Sequence, residues 1–146
     1  MRNNAKSLCF GLIALSALCL PAQAEEIALM TTATGAQEVP GPGDVKAVGV
    51  MILKADADLG KVCYNVSLDT SETLTAAHIH AGAVGVAGKV VLPLTLPTSA
   101  MGKTCVDADK ALISKMIANP ENYYFNAHSA TYKDGALRGQ LAKVMK

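Results

Sequence analysis

The sequence predicts an all-β fold, namely an antiparallel, Greek-key-like β-sandwich with one short helix. Short segments alternate between apolar and polar residues, and clusters of glycine, proline and aspartate separate them. Only one stretch of the chain repeats its apolar residues at helical spacing. About seven short strands with turn signals between them favour a sandwich over a helical bundle or a doubly wound sheet.

The N-terminal residues predict a signal peptide over 1–24 and a single domain over 25–146. Arg2 and Lys6 precede the apolar run "LCFGLIALSALCL", and "AQA" before Glu25 has the small residues of a cleavage site. Cleavage leaves 11 basic and 12 acidic side chains in a periplasmic or secreted protein. This near-neutral balance gives no electrostatic basis for binding nucleic acid, and no later segment is apolar enough to predict a membrane span.

The first half of the mature chain predicts four or more strands. The segment "ALMTTATGAQEVPGPGDVK" begins with β-prone residues and then enters a loop marked by Pro40, Gly41, Pro42 and Gly43. The segment "VKAVGVMILKADADLGKVCYNVSLDT" predicts a hairpin that turns at Asp58-Leu59-Gly60. Two further strands are expected in "LTAAHIHAG" and in "GKVVLPLTL", the second ending before Pro97.

The second half predicts the helix and two more strands. Apolar residues recur at intervals of three and four from Asp107, the expected N-cap, to about Asn119, and Pro120 ends the helix. The segments "NYYFNAHSA" and "GALRGQLAKV" then predict two strands, joined by a turn at Lys133-Asp134-Gly135.

Two cysteines, Cys63 and Cys105, remain after the predicted cleavage. In an oxidising compartment an even pair is more typical of a disulfide than of a metal site or a nucleophile. Closing a loop over 42 residues adds about 4 kcal/mol in the chain-entropy model. The sequence therefore predicts a stabilising Cys63–Cys105 disulfide.

The three histidines occur in two of the predicted strands. His78 and His80 in "TAAHIHAGAVG" are two positions apart, so on a strand their side chains point the same way while Ile79 points into the core. His128 lies 50 residues after His78 and reaches the same point only through the fold. The pattern predicts a shared mononuclear metal site with an open coordination position; surface or hydrogen-bonded histidines are the alternative.

Other chemistries find less support in the residues. The chain has no nucleophile elbow with a Ser-His-Asp set, no phosphate-binding glycine loop and no haem attachment motif. A blue-copper site needs a free thiolate, which the predicted disulfide removes. Asn126 should face the same side as His128, where it either orients an imidazole or makes a plain cross-strand hydrogen bond.

Three blocks of sequence resemble the CHRD domain family, a module first named from chordin and common in exported bacterial proteins. They are "GAQEVP", "AAHIHAGAVGVAGKVVLPL" and "NPENYYFNAHSATYKDGALRGQL", which together run from Gly35 to Leu141. The resemblance implies an antiparallel sandwich similar to that of copper–zinc superoxide dismutase. Bacterial members have been proposed to be mononuclear iron enzymes that remove superoxide, which by position implies His78, His80 and His128 as ligands.

The chain departs from the family proposal in its ligands, since those iron sites use four histidines and this chain has three. Tyr132 is a candidate fourth ligand, as are water, a backbone carbonyl or a histidine of another subunit. The resemblance favours Fe(II), whereas the intrinsic affinity of imidazole sites favours copper. Arg138 is a candidate catalytic residue that adds positive potential for a small anion, its alternative role being a salt bridge to a nearby carboxylate.

Two classes of function follow. The first is an enzyme that removes superoxide, either a dismutase or a reductase that a redox partner re-reduces. The second is a metal-binding or protein-interaction module without turnover. A redox-active ion that cycles with superoxide separates the first class from the second.

Overall fold

The computed structural model describes residues 26–96 and 102–144, and the predicted all-β fold with one short helix is confirmed. The predicted signal peptide and Pro97 lie outside the described residues. The α-helix is α1 (Lys110–Ala118), and short 3-10 helices span Gly35–Gln37 and Pro120–Asn122. The strands are β1 (Ile27–Thr34), β2 (Val48–Asp56), β3 (Lys61–Asp69), β4 (Leu74–Ala81), β5 (Lys89–Leu94), β6 (Thr104–Asp107), β7 (Tyr123–Ser129), β8 (Leu137–Gln140) and β9 (Ala142–Lys143).

The strands form one antiparallel sheet that folds back on itself into a nearly closed sandwich. Their order is β5-β4-β7-β8-β1-β2-β3-β6, and β9 pairs with β1. In the described chain β1 meets β8 through one pair, Thr34 and Arg138, so the sheet divides there into two halves. The β4–β5 hairpin lies in one half, whereas β3 and β6, which flank it in sequence, pair in the other. This is the expected Greek-key-like arrangement.

The core lies between the two halves and follows from the alternation along each strand. In β2 every second residue is buried, including Met51 and Leu53. In β7 the inward residues are Tyr123, Phe125 and Ala127. The helix α1 contacts β2 and β3 and buries Ile113 and Met116 completely. Burial of large apolar side chains contributes roughly 1.5–3 kcal/mol each before entropy is counted.

The helix begins two residues later than predicted, because its N-cap is Asp109 and not the expected Asp107. Asp109, and not Asp107, accepts a hydrogen bond from the backbone N–H of Leu112 at 2.8 Å. Asp107 instead ends β6 and forms an ion pair with Lys61 at 2.8 Å. The reason is that β6 pairs with β3 and keeps this segment extended up to Asp107.

The predicted disulfide is confirmed, and Cys63 on β3 lies directly opposite Cys105 on β6. It therefore fastens an edge strand of four residues to the rest of the sheet. No helix within residues 26–96 or 102–144 has the length and apolar character needed to cross a membrane.

Candidate metal site

The outer face of β4, β7 and β8 carries two rows of polar side chains. Because side chains alternate across a strand, the residues between these rows point into the core, as Ile79 and Phe125 do. The register of the three strands aligns His78 with Asn126 and Arg138 in one row, and His80 with Tyr124 and Gln140 in the other.

The three histidines meet on this face. His78 Nδ1 lies 3.2 Å from His128 Nε2, and the ring centroids of His78 and His80 are 5.6 Å apart. One nitrogen from each of the three rings can be chosen so that all of them lie within 4.8 Å of one another. All three side chains are half-buried. The fold therefore brings together the residues that the sequence singled out.

Backbone carbonyl groups fix the tautomer of two of these rings. His80 Nδ1 is 2.9 Å from the carbonyl oxygen of Gly88, and His128 Nδ1 is 2.9 Å from that of Lys133. A carbonyl oxygen only accepts, so in both rings the hydrogen is on Nδ1. The neutral ring then presents a lone pair at Nε2. Metal-binding histidines are commonly held in this way, with the second ring nitrogen donating to a carbonyl.

His80 Nε2 is buried and has no hydrogen-bond partner among the described residues. A buried acceptor without a partner costs about 1–3 kcal/mol, and a bound cation would satisfy it. Two nitrogens that ligate one ion at about 2.1 Å are about 3.0–3.4 Å apart, which the 3.2 Å between His78 and His128 matches. Imidazole ligands suit iron, copper and zinc. The residues present therefore fit a transition-metal ion.

Burial lowers the pKa of both His78 and His80. The neighbouring histidines lower the pKa of His78 further, and the charge of Arg138 contributes to the lowered pKa of His80. The neutral form, which is the form that binds a metal, therefore persists to lower pH in these two rings than in a free imidazole.

Tyr124 and Arg138 pack in succession against the His80 ring. The Tyr124 ring stacks on the His80 ring with centroids 4.8 Å apart and an interplanar angle of 15°. The guanidinium carbon of Arg138 lies 3.5 Å from the centroid of Tyr124, which is a cation–π contact. Arg138 is only 2% exposed. In the described chain it has no carboxylate within salt-bridge distance, so the alternative expected for it is not observed.

Side chains on the outer face of β7 and β8 hold the loop over 82–88 through hydrogen bonds to its backbone. Arg138 Nη2 donates to the carbonyl of Ala83 at 2.9 Å, and Gln140 Nε2 donates to that of Gly82 at 2.7 Å. The Tyr124 hydroxyl accepts from the backbone N–H of Gly88 at 3.0 Å. The carbonyl that orients His80 therefore belongs to a loop that the site itself holds in place.

Tyr132 and Asn126 lie beside the cluster in different ways. Tyr132 lines a cavity of about 150 Å³ together with Glu38 and Gly135. Among the described residues its ring contacts none of the histidine rings, and its role as fourth ligand stays a prediction. Asn126 Nδ2 donates to both carboxylate oxygens of Glu38, at 2.8 and 2.9 Å.

Sequence reasoning missed two residues of this region. Tyr124 was given no role at the site within the predicted strand "NYYFNAHSA", and Glu38 was noticed only within "GAQEVP". The alternation in "NYYFNAHSA" places Tyr124 on the same side as Asn126 and His128, and this signal could have identified it. No local signal links Glu38 to β7, because 88 residues separate it from Asn126.

Comparison with known families gives one match. The model of the family described as CHRD domain matches residues 29–141, which is most of the chain. No curated protein and no solved structure matches the chain.

Proposed function

The chain belongs to the CHRD domain family, and on that premise we propose that it is an exported metal-binding protein that removes superoxide at His78, His80 and His128. One observation carries the proposal most directly. His80 Nε2 is buried without a partner beside two further imidazoles, in a ring whose Nδ1 is bound to a backbone carbonyl. A structural histidine would have its second nitrogen satisfied.

Fe(II) is the ion we propose, with copper as the second candidate. A bound iron or copper ion would supply the one-electron change that superoxide removal requires, which zinc cannot supply. The three imidazoles would hold it, and Tyr132 is the proposed fourth ligand. If Tyr132 binds ferric iron, the loaded protein has a phenolate-to-iron absorption band in the visible range that Tyr132→Phe removes.

The surroundings suit a small anion. Three neutral imidazoles leave the charge of a cation uncompensated, and Arg138 adds positive potential beside His80. The Arg138 side chain also lines a cavity of about 340 Å³ with Gln140 and Val84. Dismutation turns two superoxide anions and two protons into dioxygen and hydrogen peroxide, so it needs no external electron donor, whereas a reductase needs a redox partner.

Export is the proposed setting for this chemistry. The Cys63–Cys105 disulfide is of a kind that persists in oxidising compartments. Together with the predicted signal peptide over 1–24, it supports a periplasmic or secreted location.

The proposal is tested by measuring iron content and superoxide decay on one anaerobically loaded sample. We expect about one iron per chain and catalytic decay in the wild type, both lost in His128→Ala. Ser67→Ala, at an exposed position of β3 in the other half of the sandwich, serves as the control. Iron binding without faster decay would make the chain a non-catalytic binding module, and absence of iron would overturn the metal site itself.

A further inference from the structure

Glu38 is a buried carboxyl group that the proposed function does not use. It follows the 3-10 helix Gly35–Gln37 and is only 8% exposed. Its carboxyl group lies against Gly135, where a Cβ atom would be 2.3–2.5 Å from the carboxyl atoms of Glu38. The absence of a side chain at Gly135 is therefore what makes room for this carboxyl group beside Asn126.

Asn126 can serve this carboxyl group in either protonation state. Its Nδ2 donates to both oxygens of Glu38, which suits a carboxylate. Its Oδ1 is buried and has no partner in the described chain. A half-turn of the amide would bring Oδ1 to Glu38, where it can accept from the hydroxyl of a carboxylic acid. The unsatisfied Oδ1 is thus the acceptor that the protonated form requires.

The Glu38 carboxyl group is close to half-ionised at neutral pH. Burial raises the pKa of Glu38 to about 7, although the Asn126 hydrogen bond and the Arg138 charge oppose this. Arg138 faces it from β8, and Lys133 and Asp134 line one of its cavities. Cavities of about 150 and 340 Å³ both reach Glu38, so a proton can exchange with solvent.

The Asn126 side chain lies between Glu38 and the strand that carries His78. Asn126, which holds Glu38, is directly opposite His78 in the β4–β7 register. For an assumed separation of about 10 Å and an effective dielectric constant of about 20, a divalent charge lowers the titration midpoint of a carboxyl group by about two pH units before screening by salt. Positive charge on the histidines therefore favours the ionised form of Glu38.

We propose that Glu38 is the proton-exchange group of the histidine site, holding a proton that leaves to solvent when a divalent cation binds His78, His80 and His128. The carboxylic acid becomes a carboxylate, Asn126 turns its amide to donate, and one hydrogen ion enters solution. The inference rests on the proposed metal site but not on superoxide chemistry. It gives a role to the glutamate of "GAQEVP", which lies far from the histidines in sequence.

The test counts protons released when zinc, used as a redox-inert probe, binds the metal-free protein. Calorimetry at pH 7 in two buffers with different ionisation heats gives the count. We expect wild type to release about 0.4–0.5 more protons per zinc than Glu38→Gln at pH 7, for a shift of one to two pH units, and the same number at pH 9, where Glu38 is already ionised. Glu72→Gln is the control, because Glu72 also bonds a β7 residue, Ser129, and should match wild type.

Equal proton counts in wild type and Glu38→Gln at pH 7 would overturn the inference and leave the metal site standing. Absence of zinc binding in the wild type would overturn both. If Glu38→Gln does not fold, carbon-13 NMR of the wild type replaces it. The Glu38 carboxyl signal should then titrate at least one pH unit lower with zinc than without, and an unmoved midpoint contradicts the inference.

Discussion

His78 Nδ1 and His128 Nε2 lie 3.2 Å apart although 50 residues separate them in the chain. The β4–β7 register explains this contact, because His78 is opposite Asn126 and His128 is opposite Ala76, which places the two histidines diagonally across the strand pair. A slip of one residue would move one of the rings to the core face. The site therefore depends on the same register that buries Ile79 and Phe125.

Replacing one imidazole should cost most of the metal affinity. In His80→Phe the ring can still stack on Tyr124, but the lone pair at Nε2 is lost. We expect zinc affinity to fall at least about 100-fold in calorimetry, because two imidazoles remain of three. The metal-free variant should keep its unfolding free energy within about 1 kcal/mol, since an unsatisfied buried atom disappears together with the Gly88 hydrogen bond. Unchanged zinc affinity would mean that His80 is not a ligand.

The loop that orients His80 can be tested with two glycines. In Gly88→Ala the new Cβ would lie 1.7 Å from the carbonyl oxygen of Ala81, so the loop must move and His80 loses its acceptor. In Gly85→Ala nothing lies within 4 Å of the new Cβ, and the cost is the positive φ of +78°, about 1 kcal/mol. We expect weaker zinc binding in the first variant and near-normal binding in the second. Equal affinities would contradict the role given to the loop.

The buried carboxyl group should make stability fall as pH rises. The pKa of Glu38 is about 7 in the folded chain against 4.5 for an ordinary glutamate, so the folded state holds the proton more strongly. The resulting stabilisation is complete below about pH 4.5 and is lost as pH rises through 7, by at most about 3 kcal/mol. Urea unfolding of the metal-free proteins at several pH values measures the effect. The unfolding free energy of the wild type, relative to that of Glu38→Gln, should fall over this pH range. A flat difference between pH 4.5 and 8 would contradict the raised pKa.

Much of the fold follows from local pattern. The alternation of apolar and polar residues predicted the β2–β3 hairpin, β4 and β5. The Cys63–Cys105 disulfide was predicted from the expected oxidising compartment and the even number of cysteines. The strand β6 was not expected, because four residues that alternate weakly give little signal and are held by pairing with β3. The late start of α1 at Lys110 has the same cause.

The candidate site was predictable only in part. Spacing places His78 and His80 on one face, yet the meeting with His128 depends on strand order, which no local pattern encodes. The contact of Glu38 with Asn126 joins residues 88 positions apart through a loop. Arg138 was expected at the site, but its burial against Tyr124 results from the alignment of β8 with β7.

Removing the disulfide should destabilise the chain strongly. The double variant Cys63→Ala, Cys105→Ala frees a loop closed over 42 residues, which predicts a loss of about 4 kcal/mol in the unfolding free energy. Denaturant unfolding measures it, with the reduced wild type as a matched comparison. The histidine cluster lies in the other half of the sandwich, so zinc stoichiometry below the unfolding transition should not change. A loss below about 1 kcal/mol would contradict the stabilising role.

The most direct measurement is X-ray absorption fine structure on the protein loaded with one equivalent of Fe(II). We expect three imidazole nitrogens per iron at about 2.1 Å, falling to two in His128→Ala. A shell without imidazole scattering, or one that His128→Ala leaves unchanged, would show that the three histidines do not hold the ion.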